Sequence, residues 1–129
     1  MILDSDILIY FLKGKKEVVD EVLKLNIDEL FTTRINYTEL LYGAYNSNKI
    51  EENLEKFESF LENFTILEFD KNASEIFAKS KSKLKKDGNI IADMDLMIAS
   101  ICIANNKKLV TNNHKHFEKI NSLEIVKWF

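Results

Sequence analysis

Carboxylates interrupt or border the most apolar stretches of this chain, and any fold it adopts must reconcile the two. Asp4 ends the strand-like run Met1-Ile2-Leu3. Glu39 lies inside Ile35-Asn36-Tyr37-Thr38-Glu39-Leu40-Leu41-Tyr42. Asp93 and Asp95 head Leu96-Met97-Ile98-Ala99-Ser100-Ile101-Cys102-Ile103-Ala104, which is apolar around almost its whole helical circumference. An ionised carboxylate taken out of water without a partner costs several kcal/mol. Repeated in one small domain, that cost points to a shared compensation, and a bound cation is the simplest.

The 129 residues suit a single domain spanning 1–129, one large enough to bury about two-thirds of its unfolded surface. There is no Pro and there are only three Gly, so long helices with short connections are expected and a flexible linker is not. No apolar run approaches the ~20 residues that span a bilayer, and no basic segment precedes the N-terminal apolar residues as in a signal peptide. The single cysteine, Cys102, has no internal partner, which suits a reducing cytoplasm. Setting aside four candidate site acids of the 21 acidic residues leaves 17 against 18 basic ones. The charge balance therefore neither supports nor excludes a nucleic-acid substrate.

Periodicity and punctuation predict strands at 1–3, 30–33, 65–69, 108–111 and 123–126. Helices are expected at about 5–13, 16–25, 35–46, 49–63, 71–86 and 93–105, with Asp70 capping the fifth. Alternating strands and helices imply a mostly parallel central sheet covered on both faces, an α/β/α sandwich. Ligands of such sheets bind outside the carboxyl ends of the strands, where Asp4 and Asn112-Asn113 fall.

Each acid has a plainer explanation to set against the functional one. Asp95 could be held by the dipole of its helix N-terminus, but about 0.3–1 kcal/mol falls short of the desolvation cost. Asp93 could be the N-cap of that helix or a second-site ligand. Glu39 could be a surface residue, yet Gly43 one turn on would admit a close backbone. In Asp4-Ser5-Asp6, the cap role suits Asp6 better than Asp4. Asn113 is either a turn residue or a neutral oxygen ligand. The lysines at 79, 81, 83, 85 and 86 fit a solvated helix face, and Arg34 a solvated role. His114 and His116 lack further nitrogen or thiolate partners for zinc. Tyr37, Leu41 and Tyr45 form a stripe expected in the core, or, if exposed, a groove for a partner chain.

Four blocks of the sequence resemble PIN-domain ribonucleases. Ile2-Leu3-Asp4-Ser5-Asp6-Ile7-Leu8-Ile9 is similar to the family's opening strand and helix. Thr38-Glu39-Leu40-Leu41-Tyr42-Gly43-Ala44 resembles its "xELxxGA" helix. Ile91-Ala92-Asp93-Met94-Asp95-Leu96-Met97-Ile98-Ala99 resembles "IxDxDLLIA". Leu109-Val110-Thr111-Asn112-Asn113 with Phe117 resembles "LVTNNxxxF". The blocks stand in the family's order along the whole chain, whose compact length is similar to that of VapC toxins. Position 6 is Asp where Asn is common, and position 113 is Asn where many relatives carry a fourth acid.

The resemblance implies a PIN-like fold and a Mg²⁺- or Mn²⁺-dependent endoribonuclease. Such an enzyme acts on RNA as the toxin of a type II toxin–antitoxin pair, with a VapB-like antitoxin and a homodimer as its assemblies. It implies that Asp4, Glu39 and Asp95 hold the metal, with Asp93 and Asn113 as further ligands and with Ser5, Asp6 and Thr111 behind them. Hard cations take oxygen ligands of this kind. Two other classes remain open on the residues alone. Asp4 and Asp6 after a strand also fit a haloacid-dehalogenase-like phosphatase, and an inactive domain could serve only to bind a partner.

Overall fold

The computed structural model describes every residue from Met1 to Phe129. Five short strands, β1 (Ile2–Leu3), β2 (Phe31–Thr33), β3 (Thr65–Leu67), β4 (Leu109–Val110) and β5 (Ile125–Val126), form one sheet in the order β3-β2-β1-β4-β5. Every pairing is parallel. Seven α-helices connect them: α1 (Ser5–Leu12), α2 (Lys16–Leu23), α3 (Arg34–Tyr45), α4 (Ile50–Leu61), α5 (Lys71–Lys86), α6 (Asp93–Ala104) and α7 (His114–Phe117).

Alternation along the strands divides the core in two. Ile2 and its register partner Leu109 pack with Leu96, Ile98, Ala99 and Cys102 of α6 and with Phe117. Leu3 and Val110 turn the other way, onto Ile7, Leu8, Val18, Val22, Leu40 and Leu61 of α1 to α4. Because α6 lies between the sheet and α5, its apolar circumference is used on both sides; its residues 98–102 are all buried. No helix is long and apolar enough to cross a membrane.

Strand order fixes where a ligand belongs. The chain steps from β1 outward to β2 and β3, then crosses back to place β4 on the far side of β1. Connections therefore diverge between β1 and β4, and a crevice opens at the carboxyl ends of those strands. Asp4 follows β1 there, and Thr111 follows β4.

Several local expectations change. Asp4 itself caps α1, its carboxylate accepting the Ser5 amide, while Asp6 sits within the first turn. A carboxylate directly after a strand is already extended, as an N-cap must be, so the strand end and the cap coincide. Asp93 is likewise not a cap: Ala92 holds that position and Asp93 opens the helix. Tyr45, expected in the core, is 62% exposed, and Leu23 near the end of α2 is 73% exposed. Gly43 has nothing within 4 Å of where a Cβ would stand, so no backbone of this chain uses the room it leaves. Arg34 forms a fork of hydrogen bonds with Glu68 and lies over the Tyr37 ring.

Candidate active site

Polar side chains gather at the β1–β4 crevice around Asp4, a carboxylate only 5% exposed. One of its oxygens accepts from the Ser5 amide and from Asn36 Nδ2, both at 2.9 Å. The other accepts from the Thr111 hydroxyl at 2.7 Å. All three donors are neutral. They fix the carboxylate and leave its charge uncancelled.

Glu39 reaches the same place from α3. Its carboxylate accepts from Ser5 Oγ at 2.7 Å, and Asn36 Nδ2 donates to that hydroxyl at 2.9 Å. Asn36 lies one turn before Glu39 on the helix and is completely buried. Its amide oxygen accepts from the Thr33 hydroxyl, which also caps α3 by accepting the Asn36 amide. The cap thus orients the residue that orients two acids.

Asp95, in the first turn of α6, is half-buried and has His116 Nδ1 3.4 Å from its carboxylate. Burial is the main cause pushing the Asp4, Glu39 and Asp95 carboxyls above the usual range. Like charge adds to it: Asp4 and Asp95 raise Glu39, and Asp4 raises Asp95. No Lys or Arg forms an ion pair with any of the three. Asp6 is raised as well, by burial first and by Asp4 second. Its carboxylate accepts the Asn112 amide at 2.9 Å and so ties the end of β4 to α1.

Of the residues expected from sequence, Asp4, Ser5, Glu39 and Thr111 are brought into one hydrogen-bonded group, with Asp95 coupled to it by charge. Asp6 braces the adjoining loop. Asp93 stands apart, exposed and paired with Lys81 at 2.9 Å. Asn113 contributes its amide to Thr111 Oγ1 at 3.0 Å, and the residue is exposed. Sequence reasoning missed Asn36, Thr33 and His116. Asn36 could have been found as the one polar residue a helical turn from Glu39 on an otherwise apolar face.

The donor set suits a hard divalent cation, being three uncancelled carboxylates with oxygen donors only. As the side chains stand, no three His, Cys, Asp or Glu groups close on a single ion. The reason is visible in the bonding. Glu39 is engaged by Ser5 and Asp95 by His116, so the two acids have different partners. For a phosphatase the geometry is poor, because Asp6 bonds a backbone amide and no Lys pairs with Asp4.

Comparison with known proteins supports the first chemistry. A model of the PIN domain matches residues 1–123. The tRNA(fMet)-specific endonuclease VapC of Shigella flexneri is 30% identical over 126 residues, covering 98% of this chain and 96% of that protein. Ribonuclease VapC2 of Rickettsia felis is 33% identical over 128 residues, with coverage of 98% and 96%. Among solved structures, VapBC2 from Rickettsia felis bound to a DNA fragment from its promoter matches with a TM-score of 0.91 at 32% identity, over 99% of this chain and 98% of that one. DNA-bound VapBC from Salmonella typhimurium matches with a TM-score of 0.91 at 30% identity, over 99% and 97%.

Proposed function

The chain belongs to the PIN-domain family, and on that premise we propose that it is a metal-dependent endoribonuclease, the toxin of a type II toxin–antitoxin pair. The observation that carries the reading is the group of three carboxylates at the β1–β4 crevice: Asp4 and Glu39 held by neutral donors, and Asp95 beside them with His116 as its neighbour. Relatives named as ribonucleases across almost the full chain support the same reaction class.

Asp4, Glu39 and Asp95 would hold Mg²⁺ or Mn²⁺ directly. Such an ion supplies a bound water of lowered pKa and offsets charge on the leaving oxygen of a phosphodiester. Ser5, Asn36 and Thr111 keep the acids oriented. Asp6 holds the Asn112 backbone and with it the loop that carries Thr111. Asp93 and Asn113 remain available to a second ion or to ligation through water, in the first case at the expense of the Lys81 ion pair. A VapB-like antitoxin is the partner this reading implies, since the similar solved structures are VapBC complexes. A homodimer is the assembly proposed with it, and exposed Tyr42 and Tyr45 around Gly43 offer it a surface.

The test is cleavage of a mixed RNA pool by antitoxin-free protein in Mg²⁺ or Mn²⁺ against EDTA, alongside Asp95→Asn. Loss of a metal ligand should lower cleavage by more than roughly 100-fold. Cleavage that survives both EDTA and the substitution is contamination, and a folded wild type inert on the pool defeats the reading.

A further inference from the structure

Beside Asp95 lies a cleft of about 400 Å³, between the segment that joins α5 to α6 and the segment that carries α7. Its size falls in the range of about 300–1,000 Å³ typical of small-ligand sites. The two walls differ. Ile90 and Ile91 stand on one side; Lys115, His116 and Lys119 stand on the other, with Asp95 between them. His116 Nδ1, 3.4 Å from the Asp95 carboxylate, joins the basic wall to the acid cluster.

The apolar wall is built to hold a side chain out in water. At the end of α5 the amides of Gly88 and Asn89 donate to the Lys85 and Leu84 carbonyls, with Gly88 at φ +76°. That left-handed closure turns the chain sharply. Two residues later Ile91 packs against the α6 core. Ile90, between these two anchors, is 97% exposed. A large apolar side chain presented so fully is a surface for contact.

The basic wall is equally uncommitted. Lys81 and Lys108 pair with Asp93 and Glu124, whereas Lys115 and Lys119 enter no ion pair. Both line the same cleft as Asp95, a carboxylate that pairs with no Lys or Arg. Free ammonium groups on one side and an apolar face on the other match the two halves of a nucleotide.

Resting on the endoribonuclease reading, we infer that this cleft seats an unpaired RNA nucleotide flanking the scissile phosphate, its phosphate against Lys115 and Lys119 and its base against Ile90. Bases splayed from single-stranded RNA can reach an apolar face in this way, whereas bases stacked in a helix cannot. The subsite makes Lys115, Lys119 and Ile90 positioning residues. They set which nucleotide lies next to the cut and take no part in the reaction itself.

The experiment uses full-length Asp95→Asn protein, which should bind without cutting, and a labelled single-stranded RNA of random sequence, with binding followed by anisotropy across a salt series. Adding Lys115→Ala and Lys119→Ala should weaken binding by about ten-fold or more. It should also reduce the slope of log affinity against log salt by about 0.7, the value for one phosphate contact on a single strand. Adding Ile90→Ala instead should weaken binding by about three- to ten-fold with the slope unchanged, because only apolar area is lost. Lys49→Ala, just before α4, with Lys56→Ala on α4 is the charge-matched control and should leave the slope alone. All these side chains except Asp95 are exposed, so thermal unfolding should not move. If the control pair lowers the slope as much as the Lys115/Lys119 pair, binding is diffuse and the subsite is wrong. If wild type cleaves RNA while the Lys115/Lys119 variant binds like its parent, the subsite alone falls. If wild type cleaves nothing and Asp95→Asn binds nothing, the nuclease reading falls and the subsite with it.

Discussion

Replacing Asn36 by Ala should be the most damaging single change near the site that leaves every acid in place. The side chain is fully buried and donates to Asp4 and to Ser5 Oγ, both at 2.9 Å, while accepting from Thr33. Removing the donor to an ionised carboxylate costs about 1.5–3 kcal/mol. Leaving the buried Thr33 hydroxyl without its acceptor costs roughly 1 kcal/mol more. The helix cap survives, because it uses the backbone amide at position 36. The sum is about 2.5–4 kcal/mol, and for a chain of this size about 3–5 °C follows each kcal/mol, so Tm should fall by roughly 8–20 °C. Differential scanning calorimetry in EDTA is the assay. A fall of less than about 3 °C would refute the idea that Asn36 organises the acids. Asn36→Asp adds a sign to the test. The shape is kept, but a donor becomes a carboxylate facing Asp4. The introduced group has a raised native-state pKa, so the stability lost at neutral pH should return as pH falls and it protonates.

Glu39→Gln keeps an acceptor for Ser5 and removes like charge from Asp4 and Asp95. In EDTA its stability should hold or rise, by no more than about 1 kcal/mol after solvent screening; a clear drop in calorimetry would mean the acids do not repel. Asp4, Asp6, Glu39 and Asp95 all have native-state pKa values above their ordinary ones. The native state therefore binds more protons than the unfolded chain above the normal carboxylate range, and their contribution to metal-free stability declines as pH rises through that window. Urea titrations from about pH 4 to 7 should show this decline flattened in Glu39→Gln, and identical profiles would refute it. The two glycines give opposite expectations. Gly88→Ala should lose about 1 kcal/mol to its left-handed backbone, while Gly43→Ala, inside α3 with nothing nearby, should gain up to about 1 kcal/mol in the monomer. Equal melts for the two would overturn both assignments.

The fold was legible because its signals are local. Apolar β-branched runs, an acidic cap at Asp70 and the scarcity of breakers place nearly every strand and helix to within a residue or two. Asp4, Glu39 and Asp95 were legible because an acid within an apolar run conflicts with its surroundings, and such conflicts concentrate at functional sites. Asn36 gave a weaker signal, since a buried amide is anomalous only if unpaired, and two of its partners, Asp4 and Ser5, lie in a segment remote in sequence. His116 was unreadable for the same reason, because its nearness to Asp95 is created by the packing of α7 against α6. Tyr45 misled because helical spacing shows only that residues share a face, not whether this chain itself covers that face.

What distinguishes this cluster from ordinary buried carboxylates is the kind of group that holds it. A buried acid is ordinarily paired with Arg or Lys, because a buried charge left uncompensated costs about 3–5 kcal/mol. Here a backbone amide, two hydroxyls and a carboxamide hold Asp4 and Glu39. Neutral donors define position nearly as well as cations do, yet they leave the negative charge for something else to meet. A lysine in the place of Asn36 would satisfy Asp4 and Glu39 permanently and would compete with any divalent ion for both. The repulsion left in the metal-free protein is therefore the counterpart of affinity for a cation. It follows that Asn36→Lys should raise metal-free Tm if the longer side chain is accommodated, and should abolish the added stability that Mg²⁺ or Mn²⁺ confers by mass action, about 2.7 kcal/mol at a hundred-fold excess over Kd. A variant that still gained that much from the metal would show that the ion sits elsewhere.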